Sequence, residues 1–307
     1  MTGSRLRRGE PALLLSAAVY GVSTTVSVVA LRTVRPADLL AVEISGAAGL
    51  LMITAAVRGQ LRRHGALRQM LIGCLVPGLA FLFGDLGLAR TSASSGSLLL
   101  AAEPLLSVLL ALIVLRERLP GRAAAALAVG LIGAVLVAVR PGGSGMDSVL
   151  GNVLVLLAVV AAAAFLIATR RFNGDDGLNA SAWQSIGGAL SVVPFVVFSW
   201  SSGGSKLDPA GFAGWPACLA VLVCGAVGSA MFNRGIGSVP AARAAQLGNL
   251  TPVVGTLTAI VFLGDRPSLL QMAGGIAILS GIALLLRGPA DPDRPSTPET
   301  ELVEEHR

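Results

Sequence analysis

Charge is what this sequence has least of. Asp, Glu, Lys and Arg make up 13% of the 307 residues against 54% hydrophobic, and mean hydropathy is +0.77. Such a balance excludes a soluble globular domain and indicates a membrane protein. Histidine is nearly missing: His64 sits in a basic loop and His306 in the tail, so no apolar segment holds one for metal ligation or general-base work. The three cysteines, Cys74, Cys218 and Cys224, lie in apolar stretches without the paired short spacing of a zinc or redox site, and read as small packing residues. No HExxH, glycine-rich phosphate loop or acid-rich diphosphate motif occurs, which leaves ATP-driven transport and prenyl chemistry without their residues. An intramembrane enzyme likewise lacks a nucleophile–base pair, and no metal or cofactor is expected. The net charge of +6 is no nucleic-acid footprint, because the basic residues fall between apolar segments instead of clustering.

Apolar runs, by contrast, fill the chain. A helix crossing the hydrocarbon needs about 20 apolar residues. Ten segments qualify: 12–31, 37–57, 69–88, 93–115, 121–139, 149–169, 180–200, 213–233, 241–263 and 268–286. The first follows Arg5, Arg7 and Arg8, but its apolar run is too long for a signal peptide and no A-x-A-like site follows, so a retained helix is expected. Residues 1–11 then form a cytoplasmic N-terminus, and the proline-rich, acidic stretch 288–307 a disordered cytoplasmic tail with almost nothing apolar to bury. Of the 23 basic residues, 17 fall on the side of the N-terminus and 6 on the other. The positive-inside rule therefore predicts a multi-pass protein of the cytoplasmic (inner) membrane with both termini in the cytoplasm.

The chain also repeats itself. An offset of 148 residues aligns EPLLSVLLALIVLRER (103–118) with TPVVGTLTAIVFLGDR (251–266), matching Pro104 to Pro252, Glu117 to Asp265, Gly87 to Gly235 and Gly133 to Gly281. An offset of 141 pairs VEISGAAG (42–49) with WQSIGGAL (183–190), so that Glu43 meets Gln184 and Gly46 meets Gly187. Residues 12–140 and 149–287 thus form two five-helix repeats. An odd number of helices forces the second repeat to enter the membrane upside down, which predicts an all-α membrane protein of ten transmembrane helices in two inverted repeats. Glu117 and Asp265 end helices at opposite faces, either as solvated stops or as a gate or inter-repeat contact.

Ten helices in a 5+5 arrangement, the matched (T/E)P starts and (E/D)R ends in the fourth and ninth helices, and a glycine-bearing helix after each together resemble the EamA-type branch of the drug/metabolite transporter superfamily. The resemblance covers residues 12 to 286. It implies export of amino acids, other metabolites or toxic compounds. The chain departs from the family pattern in having Tyr20-Gly21 where Trp-Gly is frequent, and Glu43 where the second helix often carries an arginine.

Intramembrane polar residues are the candidate machinery, because a charge at the bilayer centre costs roughly 2.5–3.5 kcal/mol on insertion scales. At 1.5 Å of rise per residue, Glu103 lies about 15 Å below the outer end of the fourth helix, Glu43 about 9 Å inside the second, and Asp85 about 5 Å from the end of the third. That depth reads Asp85 as interfacially solvated. Helical spacing groups Ser92, Ser95, Glu103 and Ser107 in the fourth helix. Ser16, Tyr20, Ser23 and Ser27 line up in the first, and Gln246, Asn249 and Thr256 in the ninth. Three such stripes facing one another make a wet cavity; the alternative is that small hydroxylated residues let helices pack closely. Trp183, near the start of the seventh helix, is either a contact for an apolar moiety or an anchor, and Gln184 beside it is a further cavity candidate. Pro104 and Pro252 each remove a helical hydrogen bond, so a matched pair of hinges is expected beside the site. Burial disfavours the charged form of a carboxyl, which makes Glu103 the first and Glu43 the second candidate proton carrier.

The function these residues suggest is secondary active export of a small metabolite, amino acid or drug-like compound by alternating access, coupled to protons. A passive facilitator is the alternative. Expected partners are a small-molecule substrate and membrane lipid, with no nucleic acid. The small-residue runs GLIGAVLVA and AGGIAILSGIA either pack within the monomer or form a homodimer contact.

Overall fold

A computed structural model describes residues 9–115, 121–139, 148–172, 177–203, 214–239, 244 and 247–286, and among them every regular element is helical. Helices α1 (Glu10–Leu31) and α2 (Pro36–Val57) each start on a proline in the first turn, where its missing N–H was an orphan in any case. Then come α3 (Ala66–Gly73) and α4 (Ala80–Leu88), joined through a kink within Cys74–Leu79 where Val76, before Pro77, is extended, and α5 (Ala93–Leu100) and α6 (Glu103–Leu115). After them follow α7 (Gly121–Val139), α8 (Val149–Phe172), α9 (Gly177–Gly203), α10 (Trp215–Ile236), α11 (Leu250–Leu263) and α12 (Leu269–Leu286).

Among the described residues, seven stretches are long and apolar enough to cross a membrane: Glu10–Leu31, Pro36–Val57, Ala66–Leu88, Ala93–Leu110, Val149–Thr169, Gly177–Gly203 and Trp215–Ile236. Three shorter apolar helices, Ala124–Ala138, Leu250–Leu263 and Leu269–Leu284, accompany them. The outer surface suits this reading, since Phe198, Val261, Phe262 and Leu269 turn outward as they would toward lipid chains. Residues 1–8 and 287–307, and Glu117, lie outside the described residues.

Proline and small residues decide where the long segments break. The fourth segment, read in the sequence as one helix with a kink, is interrupted at Ala101–Ala102, and α6 restarts with Glu103 and Pro104 in its first turn. Pro104 thus occupies a position that costs no helical hydrogen bond. In the ninth segment the chain turns at Asn249 before α11, placing Pro252 in the first turn there too. Pro194 stays inside a continuous α9.

The helices pack in a regular set of pairs. The most extensive are α7 with α12, α1 with α10, α2 with α9 and α4 with α8; α1 and α5 also pack on α11, and α6 on α8. Glycine brings several crossings to backbone contact. A Cβ on Gly133 of α7 would lie 2.5 Å from Gly274 O of α12, and one on Gly274 2.7 Å from Gly133 O. Side-chain amides tie other crossings: buried Asn152 of α8 donates to Ala138 O of α7 at 3.0 Å and accepts from Thr91.

Candidate functional site

A cavity of about 570 Å³ lies at the centre of the bundle, with walls from α1, α2, α4, α5, α6, α8, α10 and α11. Its lining runs from Leu13 and Ile236, near the face where α1 begins, to Ser27 and Leu88, near the opposite one. Aromatic rings of Tyr20, Phe81, Phe165 and Phe232 and many aliphatic side chains make it largely apolar. Into this wall the fold sets three carboxyl groups, from Glu43, Asp85 and Glu103. Among the described residues that line it, none is Lys, Arg or His.

Tyr20 is held from two sides. Gly228 of α10 leaves room for its ring, since a Cβ there would lie 2.9 Å from Tyr20 Cζ, and the phenol shares a hydrogen bond with Ser229. One turn earlier on α1, the Ser16 hydroxyl donates to Gly228 O at 2.8 Å and locks the crossing. Glu103 is half-buried at the first turn of α6, where the helix N-terminus favours a carboxylate. Pro104, Asn249 and Pro252 also line the cavity, so both interruptions open onto it.

Glu43 of α2 is 4% exposed, and so is Asp85 of α4. Their carboxyl groups lie within hydrogen-bonding contact of each other. Glu43 Oε1 and Asp85 Oδ2 have no donor among the described residues. The sequence reading of Asp85 as an interfacially solvated residue is therefore corrected: α2 and α4 converge, and Asp85 faces Glu43 instead of water. One signal for it was present, because the 148-residue offset pairs Asp85 with Asn233, another lining residue.

Two expected cavity residues are placed elsewhere. Gln184 lies in the seam between α3, α9 and α10, donating to Gln69 Oε1 at 2.8 Å and accepting from Asn233 Nδ2 at 3.0 Å. The Trp183 indole donates to Arg62 O at 2.8 Å, in the connection between α2 and α3. The cause is close packing: the backbones of α3 and α9 touch at Gly73 and Gly187, so the polar residues of α9 meet α3 before they reach the centre. Gln246 lies outside the described residues. The serine stripes divide. Ser16, Ser23, Ser27 and Ser107 line the cavity, whereas Ser92 caps α5 and Ser95 accepts from Gln271 Nε2 at 2.6 Å. Beside them Asp265, just past the end of α11 and partly exposed, accepts from Ser94 N at 3.0 Å, a contact between the first and second halves of the chain.

The arrangement can hold a small solute against apolar walls and offer it acidic and amide groups. It does not assemble metal-binding chemistry among the described residues, where no three His, Cys, Asp or Glu converge. The family model described as the EamA-like transporter family matches the chain twice, over residues 7–139 and 149–287. Among similar proteins, the uncharacterized transporter YyaM of Bacillus subtilis (strain 168) is 24% identical over 246 residues, 77% of this chain and 80% of its own. A probable terminal-alkyne amino-acid exporter of Streptantibioticus cattleyicolor is 26% identical over 290 residues, 89% of this chain and 94% of its own. One crystal structure shares the fold, with a TM-score of 0.63 at 20% identity over 92% of this chain and 99% of that one.

Proposed function

Because the chain belongs to the EamA-like transporter family, we propose that it is a secondary active exporter of a small metabolite, amino acid or drug-like compound, working by alternating access across the cytoplasmic membrane. The observation that carries this reading is the cavity of about 570 Å³, walled by helices of both matched segments. A solute site between two halves is what rocking of one half against the other requires.

Ten spans in two inverted five-helix repeats account for the packing. The pairs α2–α9 and α7–α12 join corresponding helices of the two segments and α5–α11 joins the fourth span to the ninth, while α1–α10 has its counterpart in α4–α8, and α1–α11 in α6–α8. The interruptions at Ala101 and Asn249 stand 148 residues apart, the offset of the repeat. Helices broken at such points leave backbone groups to a cavity, and Pro104 and Pro252 beside them act as the hinges. Both termini lie on the cytoplasmic side, following the distribution of arginine. The relative from Streptantibioticus cattleyicolor carries the name of an exporter, which agrees with outward movement. Protons entering through Glu103 and Glu43 supply the driving force, and Tyr20 and Asn249 contact the solute.

The test uses purified protein in liposomes with an imposed pH gradient and a panel of labelled amino acids and amines. Uphill movement of a solute that collapses with a protonophore is expected. Saturable but strictly downhill flux for every solute would make the protein a facilitator. Full response of Glu103→Gln to the gradient would remove Glu103 from the proton pathway.

A further inference from the structure

The two repeats differ at one joint in a way that bears on the solute. Under the offsets of the repeat, Glu43 corresponds to Gln184 and Asp85 to Asn233. In the second copy the corresponding amides satisfy one another: Asn233 Nδ2 donates to Gln184 Oε1 at 3.0 Å, and Gln184 Nε2 passes on to Gln69 Oε1 at 2.8 Å. In the first copy the same joint is built of two carboxyls, which as carboxylates only accept. Nothing donates to Glu43 Oε1 or Asp85 Oδ2 among the described residues, although both side chains are 4% exposed and line the cavity. Two buried carboxylates in contact need a proton or a cation to offset their repulsion.

On the exporter reading above, we propose that Glu43 and Asp85 together bind the positively charged group of the solute, which is therefore a small amphipathic organic cation such as a protonated arylalkylamine. The rest of the cavity suits such a molecule. Tyr20, Phe81 and Phe232 offer ring faces and edges to an apolar body, and aromatic faces attract a cation as well. Among the other titratable groups around the pair, Glu103 of α6 is a further acid, Tyr20 of α1 and Cys218 of α10 are an uncharged phenol and thiol, and Asp38, in the first turn of α2, accepts from the Trp200 indole; none of them is basic. A solute carboxylate, in contrast, meets no basic side chain among the described lining residues. The site holds either a proton or the cation, so loading the solute releases a proton.

Binding to purified protein is measured for 2-phenylethylammonium, 2-phenylethanol and phenylacetate, which share a ring and differ in charge. Benzyltrimethylammonium, whose charge does not change with pH, reports the proton competition. The ammonium ion is expected to bind at least about tenfold tighter than the alcohol, a difference of about 1.4 kcal/mol, with phenylacetate weakest. Benzyltrimethylammonium is expected to bind more tightly as pH rises. The double variant Glu43→Gln/Asp85→Asn reproduces the amide pair of the second repeat, and in it the ammonium ion and the alcohol are expected to bind alike. Equal binding of the two by the unaltered protein overturns the proposal, as does a cation preference that survives in the double variant. If that variant shows no cooperative melting, the charge series on the unaltered protein decides alone. Gradient-driven export of other solutes without any cation preference overturns the cation site and leaves the exporter standing. A cation preference without concentrative flux does the reverse.

Discussion

Replacing Gly228 with alanine tests whether Tyr20 forms a working wall of the cavity. The added Cβ would lie 2.9 Å from Tyr20 Cζ and 3.0 Å from both Cε atoms, short of the roughly 3.5–4.0 Å at which carbon atoms rest. Something must give by about half an ångström or more. The helices cannot easily part, because Ser16 of α1 is hydrogen-bonded to the carbonyl of Gly228 itself, at 2.8 Å. The ring therefore turns, at a cost of about 0.5–1.5 kcal/mol for an off-rotamer side chain. Alanine repays about 1 kcal/mol of that through its better helix propensity. Stability should consequently change by less than about 1 kcal/mol, while the ring leaves Ser229 and shifts within the cavity. A displacement of that size at a binding wall is of the order that can cost 100-fold in rate, so at least about a tenfold fall in transport rate over KM is expected in proteoliposomes, with little change in melting temperature. Gly49→Ala serves as control, since its Cβ would meet nothing within 4 Å. Unaltered transport by Gly228→Ala at full stability would show that Tyr20 is not part of the solute path.

Other variants probe the frame around the cavity. Gly133→Ala places a Cβ 2.5 Å from Gly274 O and 2.9 Å from Ile278 N, backbone atoms that cannot rotate away, so α7 and α12 must separate. Overpacking of this kind costs about 1–3 kcal/mol, and a lower melting temperature than that of Gly49→Ala in the same detergent is the expected readout. Asn152→Leu removes the donor to Ala138 O and the acceptor of Thr91 between α7, α8 and the start of α5, and should destabilise by about 1–3 kcal/mol, measured by the same melting assay. Gln184→Leu takes away the donor to Gln69 Oε1 and one of the three acceptors of Asn233 Nδ2, and should lower stability by a similar amount, about 1–3 kcal/mol, because buried amide hydrogen bonds are lost on both sides of the seam. A melting temperature equal to that of the unaltered protein in either amide variant would contradict the packing described for that seam.

Membrane class and the twofold repeat were legible in the sequence because they rest on local composition and on register, and neither needs a neighbour to be known; of the ten expected spans, seven are long and apolar enough among the described residues. Glu43 and Glu103, marked by depth in an apolar run, and Tyr20 and Asn249, marked by helical spacing, all line the cavity. Asp85 was not legible as a partner of Glu43. Its position near the end of an apolar segment suggested water, and only the convergence of α2 and α4 puts a second carboxyl in front of it. Gln184 and Trp183 failed the other way: helical spacing states which residues share a face, yet the contact of Gly73 with α9 and of Gly187 with α3 determines which neighbour that face meets. Composition and periodicity thus decided that this chain lies in a membrane and is built from two copies of one unit. Which of its polar residues share the central cavity was decided by how closely its glycines let the helices approach, a property of pairs that no single helix carries.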